Sequence, residues 1–378
     1  MPVDDADALY IGLISGTSAD GIDAALVDFI DGQPRLRAGH VQPWPESLRT
    51  QLLALAQPEA RADLDTFGQL GVAIGQCFAD AARTLLKRND VSAATIRAIG
   101  SHGQTVRHRP EGEYPFTLQI GNPAVIAECC GIDVVADFRS ADVAAGGQGA
   151  PLVPAVHAAL LGVPGFTRVV LNLGGIANIS VLGADASVLG FDTGPANALM
   201  DAWCLRHRGA PFDRDGAYAR SGQVDDALLN VLLADSYFAL PPPKSSGREY
   251  FHLAWLATHP RLRDVAAVDV QATLLELTAR SVAQAIYKHA SAVQQVLVCG
   301  GGVHNGALLT RLRELLHPIE VLSTASAGID PDFVEAVAFA WLARQRLLGL
   351  PGNLPAVTGA RGPRVLGAVY SASGSSGL

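Results

Sequence analysis

The sequence predicts an α/β protein with a duplicated, two-lobed architecture, and three observations carry that expectation. Strand-like and helix-like periodicities alternate along the chain. A hairpin with a tip of small polar residues opens the pattern near the N-terminus. A second hairpin of the same kind restarts it near residue 168. At 378 residues the chain also exceeds the usual size of one hydrophobic core, so two lobes with the ligand between them are the default.

The elements follow in order. Tyr10–Ile14 is an apolar strand that enters Ser15-Gly16-Thr17-Ser18-Ala19-Asp20-Gly21, and Ile22–Phe29 is the strand that leaves it. Helical spacing covers 48–55 and 64–87, and Ile96–Gly100 is a strand feeding Ser101-His102-Gly103-Gln104-Thr105. After a short strand at 133–135, the glycine-rich stretch 144–151 reads as a crossing between lobes. Strands at 168–172 and 176–182 form the second hairpin around Leu173-Gly174-Gly175. Then come Phe191-Asp192-Thr193-Gly194-Pro195-Ala196-Asn197, a helix start at Ala196, and a long helix at 269–289. The strand 295–299 enters Gly300-Gly301-Gly302, and a last helix spans 331–347. The expected division is an N-terminal lobe at 1–140, joined by the C-terminal segment, and a C-terminal lobe at 141–378.

Composition narrows the function. Hydrophobic residues make up 49% and charged residues 17%, which supports a large core. A formal charge of −8 without a basic block disfavours nucleic acid and anionic membranes and leaves a small molecule as the expected partner. The acidic start, with no apolar run behind it, gives no sign of a signal peptide, so a cytoplasmic location is expected. Five cysteines without C-x-x-C spacing suggest neither a disulfide framework nor a zinc site.

Four loops carry chemistry. In Gly16-Thr17-Ser18-Ala19-Asp20-Gly21-Ile22-Asp23, backbone N–H groups and hydroxyls can hold phosphate oxygens, and Asp20 can hold Mg²⁺ through water; an ordinary hairpin tip is the competing reading. Gly174-Gly175 repeats that logic. Asp192, after an apolar strand, can act as a general base, bind Mg²⁺ or cap the following helix. Gly300-Gly301 offers bare backbone to a flat base or ribose. The ten histidines show no ligand spacing, and His102 stands out only for its polar strand-end loop. The P-loop, Rossmann, zincin and protein-kinase signatures are all missing.

Six segments in order resemble the anhydro-N-acetylmuramic acid kinase family of bacterial cell-wall recycling, within the actin, sugar kinase and Hsp70 superfamily. They are S-G-T-S-A-D-G-I-D at 15–23, S-H-G-Q-T at 101–105, G-Q-G-A-P-L-V-P at 147–154, N-L-G-G-I-A-N-I at 172–179, F-D-T-G-P-A-N at 191–197 and G-R-E-Y-F at 247–251. The resemblance implies duplicated ribonuclease H-like (actin-like ATPase) domains around a central nucleotide and sugar cleft, ATP and Mg²⁺, and a homodimer. It implies a reaction in which water opens the 1,6-anhydro ring while ATP phosphorylates O6, with Asp192 deprotonating the water. Gly16 to Asp23 would bind the ATP phosphates and metal, Gly174-Gly175 the second phosphate turn and Gly300-Gly301 the adenosine. His102, Gln104, Arg139 and Glu335 are the sugar-side candidates. The lactyl carboxylate of muramate calls for a guanidinium, from Arg139 or Arg248. Two departures stand out, because the family resemblance leads one to expect a larger apolar residue at Ala19 and glycine at Ala196. Another small-sugar kinase of the same superfamily is one rival, separable by acceptor preference. A non-catalytic, nucleotide-switched sugar sensor is the other, and it would bind nucleotide without turning over any sugar.

Overall fold

The computed structural model describes residues 8–16, 19–57, 60–247 and 250–372. The chain divides into two compact units, residues 1–160 with 333–378, and residues 161–332. This differs from the expected boundary at 140/141. The reason is that the glycine-rich stretch does not cross between lobes but pairs with the C-terminal segment. The Gln148 N–H donates to the Thr358 carbonyl at 2.7 Å and the Arg361 N–H to the Ala145 carbonyl at 3.0 Å.

The first unit is built on β1 (Leu9–Ile14), β2 (Ile22–Ile30), β3 (Gln33–Gln42), β4 (Ile96–Ser101), a separate hairpin of β5 (Gln104–Arg109) and β6 (Phe116–Ile120), and β7 (Val134–Ala136). Its main sheet runs β3-β2-β1-β4-β7, and the late strand Ala368–Tyr370 is added at the β7 edge. The first three strands are antiparallel neighbours, whereas β4 lies parallel to β1 and β7 parallel to β4. In the second unit β8 (Arg168–Leu173), β9 (Ile176–Leu182), β10 (Val188–Pro195), β11 (Gln295–Cys299) and β12 (Glu320–Ser323) run in the order β10-β9-β8-β11-β12. Here too β8, β9 and β10 are antiparallel, with β11 parallel to β8 and β12 parallel to β11. The two sheets therefore share one topology, a meander of three strands followed by two parallel crossovers. The duplicated ribonuclease H-like fold is borne out at this level.

Burial on both faces explains why β1 reads as a near-continuous apolar run. Ile11 and Leu13 pack in the cluster that includes Ile74, Phe78 and Leu85 of the helix Leu64–Arg88. Tyr10 and Ile14 belong to the opposite cluster, with Ala336, Phe339 and Ala340 of the helix Val334–Leu348. Asp63 caps the first of these helices, accepting the Thr66 N–H at 2.8 Å, and Lys87 and Arg88 complement its C-terminal dipole. The last helix begins at Val334 rather than at 331, and Gly349 in the left-handed region ends it. Glycine is required where that helix meets the sheet. A Cβ on Gly12 would lie 1.7 Å from the Ala336 carbonyl oxygen, and one on Gly100, its partner on β4, 2.0 Å from that of Phe339.

The second unit packs the helices Asn197–Arg208, Ala267–His289 and Gly306–Leu316 around apolar residues of its sheet, among them Val169, Leu171, Ile179 and Val298. Glu276, almost fully buried, ties two of these helices together by accepting from Arg280 Nε at 2.6 Å and Arg311 Nε at 2.7 Å. No helix among the described residues is long and apolar enough to cross a membrane.

Candidate functional site

In the first unit the candidates gather where β1 and β4 end. The Ala19 N–H donates to the Gly16 carbonyl at 3.0 Å, closing the turn between β1 and β2. Ala19 is fully buried at φ 49°, a left-handed conformation that costs an alanine on the order of 1 kcal/mol. Arg49 braces this turn, since its Nε donates to the Ala19 carbonyl at 2.8 Å and its Nη2 lies 3.4 Å from Asp20 Oδ1. The Asp20 side chain is 73% exposed and so is open to solvent and ligand. Gly21 is held close to β3, where a Cβ would meet Val41 Cγ1 at 2.7 Å. Ile22 is buried and Asp23 pairs with Ile14 across the hairpin. Thr17 and Ser18 lie outside the described residues, as does Arg248.

Of the sugar-side candidates, Gln104 reaches this turn and Arg139 and His102 bond to each other. Gln104 is buried, and its Nε2 donates to the Gly16 carbonyl at 3.1 Å. Arg139 brings Nε and Nη2 to 3.0 and 2.9 Å from His102 Nε2, and its Nη1 donates to the Gly149 carbonyl at 2.7 Å. Burial lowers the Arg139 guanidinium to about 10, with Glu335 and Asp142 acting in the opposite direction. Arg139 thus feels two carboxylates, Glu335 and Asp142. Glu335 sits in the first turn of its helix, where the dipole favours a negative charge.

Guanidinium nitrogens can only donate, so His102 Nε2 must accept. The proton then sits on Nδ1, which lies 2.9 Å from the Gly103 carbonyl. Burial first, and Arg139 second, hold His102 well below the ordinary imidazole range, so the ring is neutral at pH 7. His157, in the helix Val153–Leu161, is pushed down to about 3 by burial. The unfolded chain therefore binds these protons near pH 6.5 while the folded chain does not, and stability is lost as pH falls below that point. Thermal unfolding between pH 7 and 4 is expected to show a steadily falling Tm, with a shallower slope in His157→Gln. A slope unchanged by that substitution would contradict the assignment.

In the second unit three loops meet at one end of the sheet. Gly174 and Gly175, at the β8–β9 turn, accept the backbone N–H groups of Asn197 and of Ala196 and Ala198, each at 3.1 Å. Asn197 Nδ2 donates to the Leu173 carbonyl at 2.8 Å. Gly300 adopts φ 78°, and a Cβ there would fall 2.3 Å from Asn172 Oδ1; one on Gly302 would fall 2.5 Å from Leu173 Cβ. Around Gly301 nothing lies within 4 Å of a Cβ position, which leaves backbone accessible to a flat ligand. The Gly174-Gly175 turn, the segment 196–198 and the glycine turn at 300–302 are thus one structural cluster. Ala196 takes φ −126° and is buried, and the helix begins one residue later than expected, at Asn197.

Asp192 lies inside β10 rather than in a loop, beside a bulge in the pairing with β9. It does not cap the helix, whose N-cap is Ala196 without a side-chain bond, so that alternative is removed. Its Oδ2 accepts the Ser246 N–H at 2.8 Å. Its backbone is fixed on both sides, with its N–H donating to the Lys244 carbonyl at 3.1 Å and its carbonyl accepting the Tyr237 hydroxyl at 2.9 Å. Burial, and next the Asp192 charge, push the Tyr237 hydroxyl up, so it stays protonated and donating. The Lys244 ammonium stands 4.6 Å above the Tyr237 ring. Tyr237, Lys244 and Ser246 were not singled out from the sequence. The matched segment at 247–251 begins immediately after Ser246 and was the available signal.

Among the described residues no group of three or more His, Cys, Asp or Glu side chains is arranged to hold a metal ion. A single exposed carboxylate such as Asp20 still suits Mg²⁺, which keeps several waters and takes further ligands from substrate phosphates.

A relative from Xanthomonas campestris pv. campestris (strain 8004), described as an anhydro-N-acetylmuramic acid kinase, is 57% identical over 367 residues, covering 96% of this chain and 97% of its own. A relative of the same description from Xylella fastidiosa is 52% identical, with 96% of each chain covered. Among solved structures, the activator of 2-hydroxyisocaproyl-CoA dehydratase from Clostridium difficile, with bound ADPNP, aligns over 90% of this chain and 96% of its own at TM-score 0.46 and 11% identity. The family model for anhydro-N-acetylmuramic acid kinase matches residues 8–372, and the chain belongs to that family.

Proposed function

We propose that this chain uses ATP and water to open 1,6-anhydro-N-acetylmuramic acid and phosphorylate its O6, giving N-acetylmuramic acid 6-phosphate and ADP. Water attacks C1 and gives up a proton to Asp192. The C1–O6 bond breaks, O6 forms a bond to the γ-phosphorus, and the bond from that phosphorus to the β–γ bridging oxygen breaks with ADP as leaving group. The observation that carries the reading is the fixation of Asp192, whose backbone is anchored on both sides and whose Oδ2 is held by Ser246. Phosphoryl transfer depends chiefly on positioning and charge neutralisation, so a rigidly placed base is the main covalent participant that the protein must supply.

The remaining residues take the roles that the resemblance implies. Gly16, Asp20 and the neighbouring N–H groups would receive the phosphates, Gly174-Gly175 the second phosphate contact, and Gly300-Gly301 the adenosine. Mg²⁺, near Asp20, would supply charge neutralisation when bound. His102, Gln104 and Arg139 would face the sugar, with Arg139 or Arg248 toward the lactyl carboxylate and Glu335 behind them. A homodimer in the cytoplasm belongs to the same reading.

The test is turnover in ¹⁸O-water with ATP and either the anhydro sugar, open-ring N-acetylmuramic acid or glucose. ADP release only with the anhydro sugar, and label on the C1 hydroxyl of the product, is the expected result. Comparable turnover of glucose would favour another sugar kinase, and nucleotide binding without turnover of any sugar would favour the sensor.

A further inference from the structure

The reaction above makes no use of Asp142, a carboxylate of the first unit that is 0% exposed. Its Oδ1 accepts from Asn353 Nδ2 at 2.6 Å and from Thr358 Oγ1 at 2.7 Å. Its Oδ2 accepts the Gly149 N–H at 2.8 Å. One buried charge thereby joins the short helix Ser140–Ala144, the glycine-rich loop and the C-terminal segment. The loop wraps the carboxylate closely, because a Cβ on Gly147 would lie 2.2 Å from Oδ2. Substrate cannot reach this group, so any influence on the reaction must pass through its neighbours.

Such a route is present. Gly149, fixed by Asp142 through its N–H, presents its carbonyl to Arg139 Nη1 at 2.7 Å. Arg139 in turn holds His102 Nε2 and so sets the Nδ1–H tautomer. Buried carboxylates are retained only when well bonded, and a purely structural staple would satisfy that rule as well. The two roles differ in what they predict, since a staple affects stability alone.

We propose that Asp142 is a positioning residue for the sugar side of the site, acting through the Gly149 carbonyl to fix Arg139 against His102. The proposal rests on the reading of Arg139 and His102 as sugar-side groups. Its test exploits the donor and acceptor pattern. In Asp142→Asn the new NH₂ must face either Asn353 Nδ2 or the Gly149 N–H, donor against donor. In Asn353→Asp two carboxylates face each other. Combining them restores the pairing of 142 with 353: the amide oxygen at 142 accepts from Gly149, its NH₂ donates to the carboxylate at 353, and the other oxygen there still accepts the Arg364 N–H, now at 2.7 Å from Asn353 Oδ1. The Thr358 hydroxyl, which now donates to Asp142 Oδ1, turns to accept from that NH₂ and donates to the Leu354 carbonyl, 3.4 Å away.

Each single substitution is expected to raise KM for 1,6-anhydro-N-acetylmuramic acid about tenfold or more, with KM for ATP changed less than about twofold. The double variant should return near the wild-type sugar KM. In ¹⁵N-histidine spectra, His102 should show the Nδ1–H tautomer in the wild type and the double variant and lose it in Asp142→Asn. Sugar and ATP KM moving together, or a double variant that regains Tm but not sugar KM, would overturn the proposal. If Asp142→Asn does not fold, Asn353→Asp decides: a raised sugar KM with an unchanged ATP KM sustains the proposal, and a folded Asn353→Asp with the wild-type sugar KM and His102 tautomer refutes it. A wild type that ignores the anhydro sugar would remove the functional reading instead. The His102 tautomer then decides the positioning role, and its persistence in Asp142→Asn would refute it.

Discussion

Asp192→Asn is expected to lower kcat by about 10³-fold to 10⁴-fold, the loss typical of removing a positioned general base. The substitution is close to isosteric, and the bonds that fix residue 192 survive it. Two of them belong to its backbone, from the Tyr237 hydroxyl and to the Lys244 carbonyl, and an amide oxygen can still accept the Ser246 N–H. The loss should therefore appear in kcat, with KM for ATP within about threefold and Tm nearly unchanged. Steady-state kinetics at several Mg²⁺ concentrations separate the remaining alternatives. If kcat recovers as Mg²⁺ is raised, the residue holds metal. If turnover is undiminished from the start, it is not the base, even though the kinase family stands.

Asp192 stands out as a candidate in the sequence because the glycine and hydroxyl loops are local signals, each written in adjacent residues. The Asp192 environment is not local. Its partners lie 45 to 54 positions away, at Tyr237 and Ser246, and only folding brings them together. The sequence also predicts a loop at Asp192, whereas the bulge in β10 lets the strand continue past it. Strand β3 went unrecognised for a different reason. As an edge strand with exposed Arg35 and Arg37 and a buried histidine, His40, it lacks a continuous apolar pattern, although its alternate side chains do turn inward.

The candidate sugar-side set shows the same division between local and distant information. His102 and Gln104 were visible as neighbours in one motif, and the structure adds why they matter to each other's surroundings: Gln104 reaches Gly16 and His102 is held by Arg139. Asp142 is three positions from Arg139 in sequence, but its partners Asn353 and Thr358 lie more than two hundred positions away. For the same reason the unit boundary was misplaced. Whether a glycine-rich stretch crosses between units or folds back depends on what the far end of the chain offers it, and here that end offers Thr358 and Arg361.

Gly100→Ala is expected to destabilise the first unit by about 3 kcal/mol or more, because the added methyl has no space and its nearest neighbours are backbone atoms that cannot rotate away. The Phe339 carbonyl oxygen would be 2.0 Å and its carbon 2.8 Å from the new Cβ. Relief would require moving the whole helix Val334–Leu348 off β1 and β4, which would open the packing of Ala336, Phe339 and Ala340 against Tyr10 and Ala98. With domains stable by only about 5–15 kcal/mol, that loss should lower Tm by on the order of 10 °C. Gly68→Ala is the control. Gly68 lies in the helix Leu64–Arg88 with nothing within 4 Å of its Cβ position, so alanine there should stabilise by about 0.5–1 kcal/mol. The same helix that Gly100 admits carries Glu335, whose charge acts on Arg139, so the Gly100→Ala protein that remains folded should also lose more affinity for the sugar than for ATP. Thermal unfolding of both variants, with KM for each substrate below Tm, checks the whole argument; a Gly100→Ala Tm within about 2 °C of wild type would show that the helix yields without cost.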